Sequence, residues 1–107
     1  MALSDQEIIR KAVELADGFV WQDPMTVYIQ SLSMAFYCSE PFMLDALAAQ
    51  LVRQVDARGV ASVYIVPDMT EVQWEYADSD DLQSVTERGP DRTLNTLRAI
   101  VESGVLE

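Results

Sequence analysis

The chain has 107 residues, half of them hydrophobic, with 18 acidic against 7 basic side chains, no histidine and a formal charge of −11. That length fits one domain, 1–107, and the apolar share excludes a disordered chain, which needs low hydrophobicity as well as high charge. The charge excludes a direct nucleic-acid binder, which needs a Lys/Arg face to displace counterions from phosphate, and a protein that adheres to anionic membrane. The single lysine is Lys11 and the six arginines are scattered. Cys38 has no second cysteine to pair with, so a reducing cytoplasm is the expected compartment. No signal-peptide pattern opens the chain, and no window approaches the roughly 20 apolar residues of a membrane span.

Ser4-Asp5-Gln6-Glu7 reads as a capping box, with Leu3 before it able to staple onto Ile8. Ile8, Ile9, Ala12, Val13, Leu15 and Ala16 recur at helical spacing and Gly18 supplies a left-handed stop, predicting a helix over 5–17. Phe19-Val20-Trp21 is a short apolar run ended by Gln22-Asp23-Pro24. Because Pro24 pushes Asp23 into extended geometry, this is a brief strand or a turn entry. From Met25 to Tyr37 two periods compete: Val27 and Ile29 alternate, while Tyr28, Leu32, Ala35 and Phe36 fit a helical face. The β-branched and aromatic content favours extended structure.

Ser39-Glu40-Pro41, a cap followed by a first-turn proline, opens a second helix over 40–58. Its apolar positions include Met43, Leu47, Leu51 and Val55. Arg53 and Arg58 lie toward the negative end, and Gly59 closes it. Ala48 and Ala49 are small enough to let another element pack close. Val60–Val66 is a β-branched strand, and Pro67-Asp68-Met69-Thr70 has turn chemistry. Val72, Trp74 and Tyr76 then alternate with Glu71, Gln73 and Glu75, a strand over 71–77 with one wet face. Asp78 to Asp81 reads as a loop, with one helical turn at Leu82–Val85. Gly89-Pro90-Asp91 starts a last helix over 91–103, with Leu94, Leu97, Ile100 and Val101 as its buried stripe and Gly104 at its end. The order predicts an α+β fold in which three helices pack on a small antiparallel sheet containing a β-hairpin.

Without histidine there is no Ser-His-Asp or Cys-His nucleophile, and one cysteine cannot build a Cys/His zinc site. The four glycines form no phosphate-cradling loop. Asp80 and Asp81 are neighbours in a polar loop and are expected to stay solvated and ionised. Asp78, Asp80 and Asp81 lack the ligand spacing, central glycine and terminal glutamate of an EF-hand. Lys11 beside Glu7 and Glu14 fits a surface ion pair. Cys38 precedes a helix, where a thiol pKa can fall, but a buried apolar thiol is the expected state. The expectation is a protein with no catalytic residues, no cofactor and no metal.

What remains is surface. Asp68, Glu71, Glu75, Asp78, Asp80, Asp81 and Glu87 fall within twenty residues that contain no Lys or Arg. On a hairpin they form a negative ridge suited to a basic protein surface, with Tyr76 and Trp21 as candidate aromatic anchors and Trp74 assigned to the core. The competing expectation is a solvated face that keeps an edge strand from pairing. A second functional expectation is a small accessory subunit that self-associates through a helix face, its charge serving solubility.

Trp21-Gln22-Asp23-Pro24, a tryptophan-proline turn after the first helix, and the closing helix Thr93 to Val101 behind an acidic hairpin resemble small phage proteins of the α-β-α sandwich type. The Met25–Tyr37 segment departs from that pattern. In size, acidity and lack of catalytic residues the chain also resembles phage-encoded anti-CRISPR inhibitors. This second resemblance implies a protein that blocks the nucleic-acid channel of a CRISPR effector by imitating phosphate. It rests on no shared motif, so it assigns no residue.

Overall fold

The computed structural model describes residues 3–75 and 81–107. Helix α1 (Asp5–Leu15) begins at Ser4, whose Oγ accepts the Glu7 N–H at 3.2 Å and donates to the Glu7 carboxylate at 3.1 Å. It stops at Leu15, two residues short of the expected end, and Gly18 at φ +83° turns the chain into β1 (Phe19–Asp23). The Asp23 carboxylate accepts the N–H groups of Met25 and Thr26 at 2.8 and 2.9 Å, an Asx turn that closes the hairpin to β2 (Thr26–Ile29). The Thr26 hydroxyl, foremost, and the Met25 N–H hold this carboxyl below its ordinary pKa. A single 3-10 turn at Gln30–Leu32, with Ser33 in the left-handed region, leads to β3 (Met34–Tyr37). The segment with two competing periods is therefore mostly extended. β1, β2 and β3 form one antiparallel sheet in that order.

Helix α2 (Pro41–Arg58) has Pro41 in its first turn, but its N-cap is Glu40 rather than Ser39, and no side chain takes the cap hydrogen bond. Gly59 ends it at φ +63°. β4 (Ser62–Val66), β5 (Met69–Glu75) and β6 (Leu82–Arg88) form a second antiparallel sheet in chain order. The expected helical turn at Leu82–Val85 is instead strand, paired with β5 from Glu75↔Leu82 to Met69↔Arg88. The alternation escaped the sequence because the helix-facing positions Gln83, Val85 and Glu87 include only one apolar side chain. β5 is thus a central strand, not the free arm of a hairpin. Helix α3 (Arg92–Ser103) begins at Asp91, whose carboxylate accepts the Leu94 N–H at 3.2 Å, and ends at Gly104.

Among the described residues three helices and two three-stranded antiparallel sheets make an α+β fold, with the strands divided between two sheets rather than gathered in one. One core joins them. Ile8 and Val13 of α1, Met43, Leu47, Leu51 and Val55 of α2, and Leu97 and Ile100 of α3 meet Val27 of the first sheet and Val72 of the second. α3 lies across β5 and β6 and also packs on α1 and α2, so it sets where the second sheet stands. Among the described residues no helix is long and apolar enough to cross a membrane.

Candidate docking site at the end of the second sheet

Alternation along β5 sends Thr70, Val72 and Trp74 toward α3 and leaves Glu71, Gln73 and Glu75 on the outer face. The register places Tyr64 beside Glu71, Ser62 beside Gln73, and Leu82 beside Glu75 on that same face. Over the β5–β6 end of the sheet opens a cleft of about 510 Å³, lined by Gly59 to Ser62, Tyr64, Gln73, Trp74, Glu75 and Leu82. Tyr64, in the middle of β4, is 51% exposed, and Leu82, at the start of β6, is 57% exposed. A second opening, of about 530 Å³, shares Gly59, Val60, Trp74 and Glu75 and continues past Ser103 to Val105. Glu75 therefore stands, exposed, between two concave surfaces.

The seven sequence-predicted acids do not share one surface. Glu75 and Asp81 are exposed and bracket the β5–β6 connection; Asp78, Asp80 and also Tyr76 lie outside the described residues. Glu71 is on the outer face, but its carboxylate accepts hydrogen bonds from Gln73 Nε2 at 2.7 Å and Thr86 Oγ1 at 3.1 Å, so both its oxygens are engaged within the sheet. Asp68 sits in the two-residue turn at the other end of β5, about 20 Å away at ordinary strand rise. At that end Arg88 pairs in register with Met69, and the Asp68 carbonyl accepts the Gly89 N–H at 3.0 Å.

Glu87 is not in a flanking loop. It occupies β6 opposite the buried Thr70, on the helix-facing side, where its carboxyl hydrogen-bonds Glu102 of α3. Burial first, then the Glu102 hydrogen bond and charge, push it up to about 7 against the opposing pull of Arg98. Arg98 in turn pairs with Asp5 at 2.6 Å and Glu102 at 3.3 Å, so the cluster ties α1, α3 and β6 together. This is a structural role.

Trp21 belongs to the first sheet, where it shares a pocket with Arg10 and Glu14 of α1, and is not beside the β5 acids. Trp74 packs partly buried against the core, as does Cys38, which is less buried than the sequence suggests. Among the described residues no group of three or more His, Cys, Asp or Glu side chains is placed to hold a metal ion. Tyr64 and Leu82 were the residues missed. Val60–Val66 is apolar except for Ser62, which hides which side chains face out, and Leu82 is a lone leucine in a polar stretch. Compared with protein-family models, with curated proteins and with solved structures, the chain matches none.

Proposed function

We propose that the chain is a non-enzymatic protein-binding domain of the cytoplasm that seats a cationic partner surface at the β5–β6 end of its second sheet. On this reading it inhibits the partner by occupying a groove built for nucleic-acid phosphate, and CRISPR-type effectors are the class of complex that such a groove suggests. One observation carries the reading. Between Arg58 and Arg88 there is no basic residue, the sequence from Glu75 to Asp81 holds four acids, and of these Glu75 and Asp81 stand exposed at the sheet end where Tyr64 and Leu82 are exposed beside a cleft. Carboxylates there can meet Lys and Arg side chains otherwise matched to phosphate, and Tyr64 offers a ring face to a guanidinium.

The test reverses the four acids Glu75, Asp78, Asp80 and Asp81 to lysine together. Wild type and variant are used side by side to capture partners from host lysate, with and without single-stranded DNA or RNA as competitor. Wild type should retain a nucleic-acid-binding protein that is displaced by nucleic acid, and that elutes as salt rises from about 0.05 to 0.5 M, where screening shortens to a few ångströms. The variant should keep its circular dichroism and retain nothing. Capture of the same partner by the variant, or indifference to nucleic acid, removes the acidic end as the docking surface.

A further inference from the structure

The free edge of the second sheet differs in character from the acidic end. Among the described residues β4 pairs with β5 alone, and from Gly59 to Pro67 the chain has no charged residue. Val60, Ile65 and Val66 are 43%, 40% and 43% exposed. The β4–β5 register runs without a bulge. Natural edge strands are usually blunted by charge, by a bulge or by a covering element, and β4 has none of these among the described residues. The opposite edge of the same sheet is blunted: β6 is polar along most of its length and includes Glu87 and Arg88.

We propose that β4 is the contact through which two copies of this chain pair, edge to edge and antiparallel, so that two three-stranded sheets become one of six strands. The occupant is a second copy because of how charge is distributed. The molecule as a whole has 18 acids against 7 bases, which selects cationic partners and repels copies of itself. Along β4 itself, and at the groove under its helix-facing side, that excess is absent. Beneath the edge lies a groove of about 350 Å³, floored by Ala48, Ala49 and Val52 and rimmed by Asp45, Arg53 and Arg92. A two-fold contact must complement itself, which a single-sign surface cannot do and a neutral strand with a mixed-sign rim can.

The sheet geometry completes the fit. Ile65 is on the helix-facing side of β4, opposite Thr70, and lines this groove. In a sheet continued across a two-fold axis normal to it, side chains of like parity stay on the same side. Ile65 of the second copy then enters the groove over the small side chains of Ala48 and Ala49. The unpaired N–H and C=O groups of β4 find partners at the same time. Three strands are few for a sheet, and six is an ordinary number.

Sedimentation velocity of the full chain, from about 1 to 100 µM, is the test. The expected result is a species of twice 12.0 kDa that dissociates on dilution. Ile65→Lys and Val66→Lys, at positions already exposed, should each move the midpoint to at least about tenfold higher concentration. Ser84→Lys, on the other edge, should not move it. Hydrogen exchange gives a reading independent of any variant, since the outward β4 amides should gain protection at dimer-forming concentration. A monomer throughout the range, or a dimer untouched by both β4 variants, overturns the proposal. So does a dimer lost instead through Tyr37→Lys on the first sheet. None of these outcomes depends on the acidic end, which the β4 variants leave intact.

Discussion

At Gln54 one buried amide joins two helices. Its Nε2 donates to the Leu15 carbonyl at 2.9 Å, and its Oε1 accepts the Asp17 N–H at 2.7 Å and Gln50 Nε2 at 3.0 Å. Two of these partners are backbone groups left open where α1 stops, so the side chain acts as a cap supplied from another helix. Gln54→Leu strands both, and urea unfolding should show a loss of about 1–3 kcal/mol. Glu87 gives a prediction in pH. Its folded pKa of about 7 lies above the ordinary 4.5, so between those values the folded state holds a proton that the unfolded state has released. Stability from this site is present at pH 4.5 and below, declines as pH rises, and is fully lost above 7. Glu87→Gln keeps a donor for Glu102 at every pH. It should therefore be more stable than wild type at pH 8 by about 1 kcal/mol, allowing for solvent screening of a half-buried group, with the difference gone near pH 5.

Among the elements, α2 has Met43, Leu47, Leu51 and Val55 fully buried along one stripe. Leu47→Ala should cost about 2–4 kcal/mol through lost burial and the cavity left behind, whereas Val63→Ala, at a half-buried edge position, should cost about 1. Urea midpoints separate the two. The helices were legible in the sequence because their ends are local chemistry: Ser4 and Asp91 cap, Pro41 starts, and Gly59 and Gly104 stop. The β5 alternation was legible for the same reason, and with it the outward faces of Glu71 and Glu75. β6 was not, because its inward side chains are mainly polar and find their partners on α3, which no window of the sequence displays. The error spread to the site. Without a third strand Glu87 looked like a loop residue, and the side of the sheet shared by Tyr64 and Leu82 had no meaning.

For the whole molecule, the two surfaces should answer to salt in opposite directions. Contact between the acidic end and a cationic partner is attraction across a gap, and it weakens as ionic strength rises. Pairing at β4 brings two chains of formal charge −11 together through a neutral strip, so added salt should relieve repulsion and strengthen it. Measured on one preparation between about 0.05 and 0.5 M salt, partner binding should fall while the dimer fraction holds or rises. Parallel decline of both would mean that one surface serves both contacts.

Each sheet is a meander whose strands follow one another along the chain, and this has a kinetic consequence. β1 to β2 and β4 to β5 are joined by two residues each, so hairpins close over short loops, in about 1–10 µs, before any distant contact is needed. The last contact to close is then that of α1 with α3, which lie at opposite ends of the sequence and are clamped by Arg98 on Asp5, 93 residues apart. A contact that closes late is absent from the folding transition state, so its loss should appear in the unfolding limb alone. In stopped-flow experiments Arg98→Gln should unfold several-fold faster than wild type while refolding at an unchanged rate. The reverse pattern would place the docking of the two helices at the start of folding and leave the meanders to form upon it.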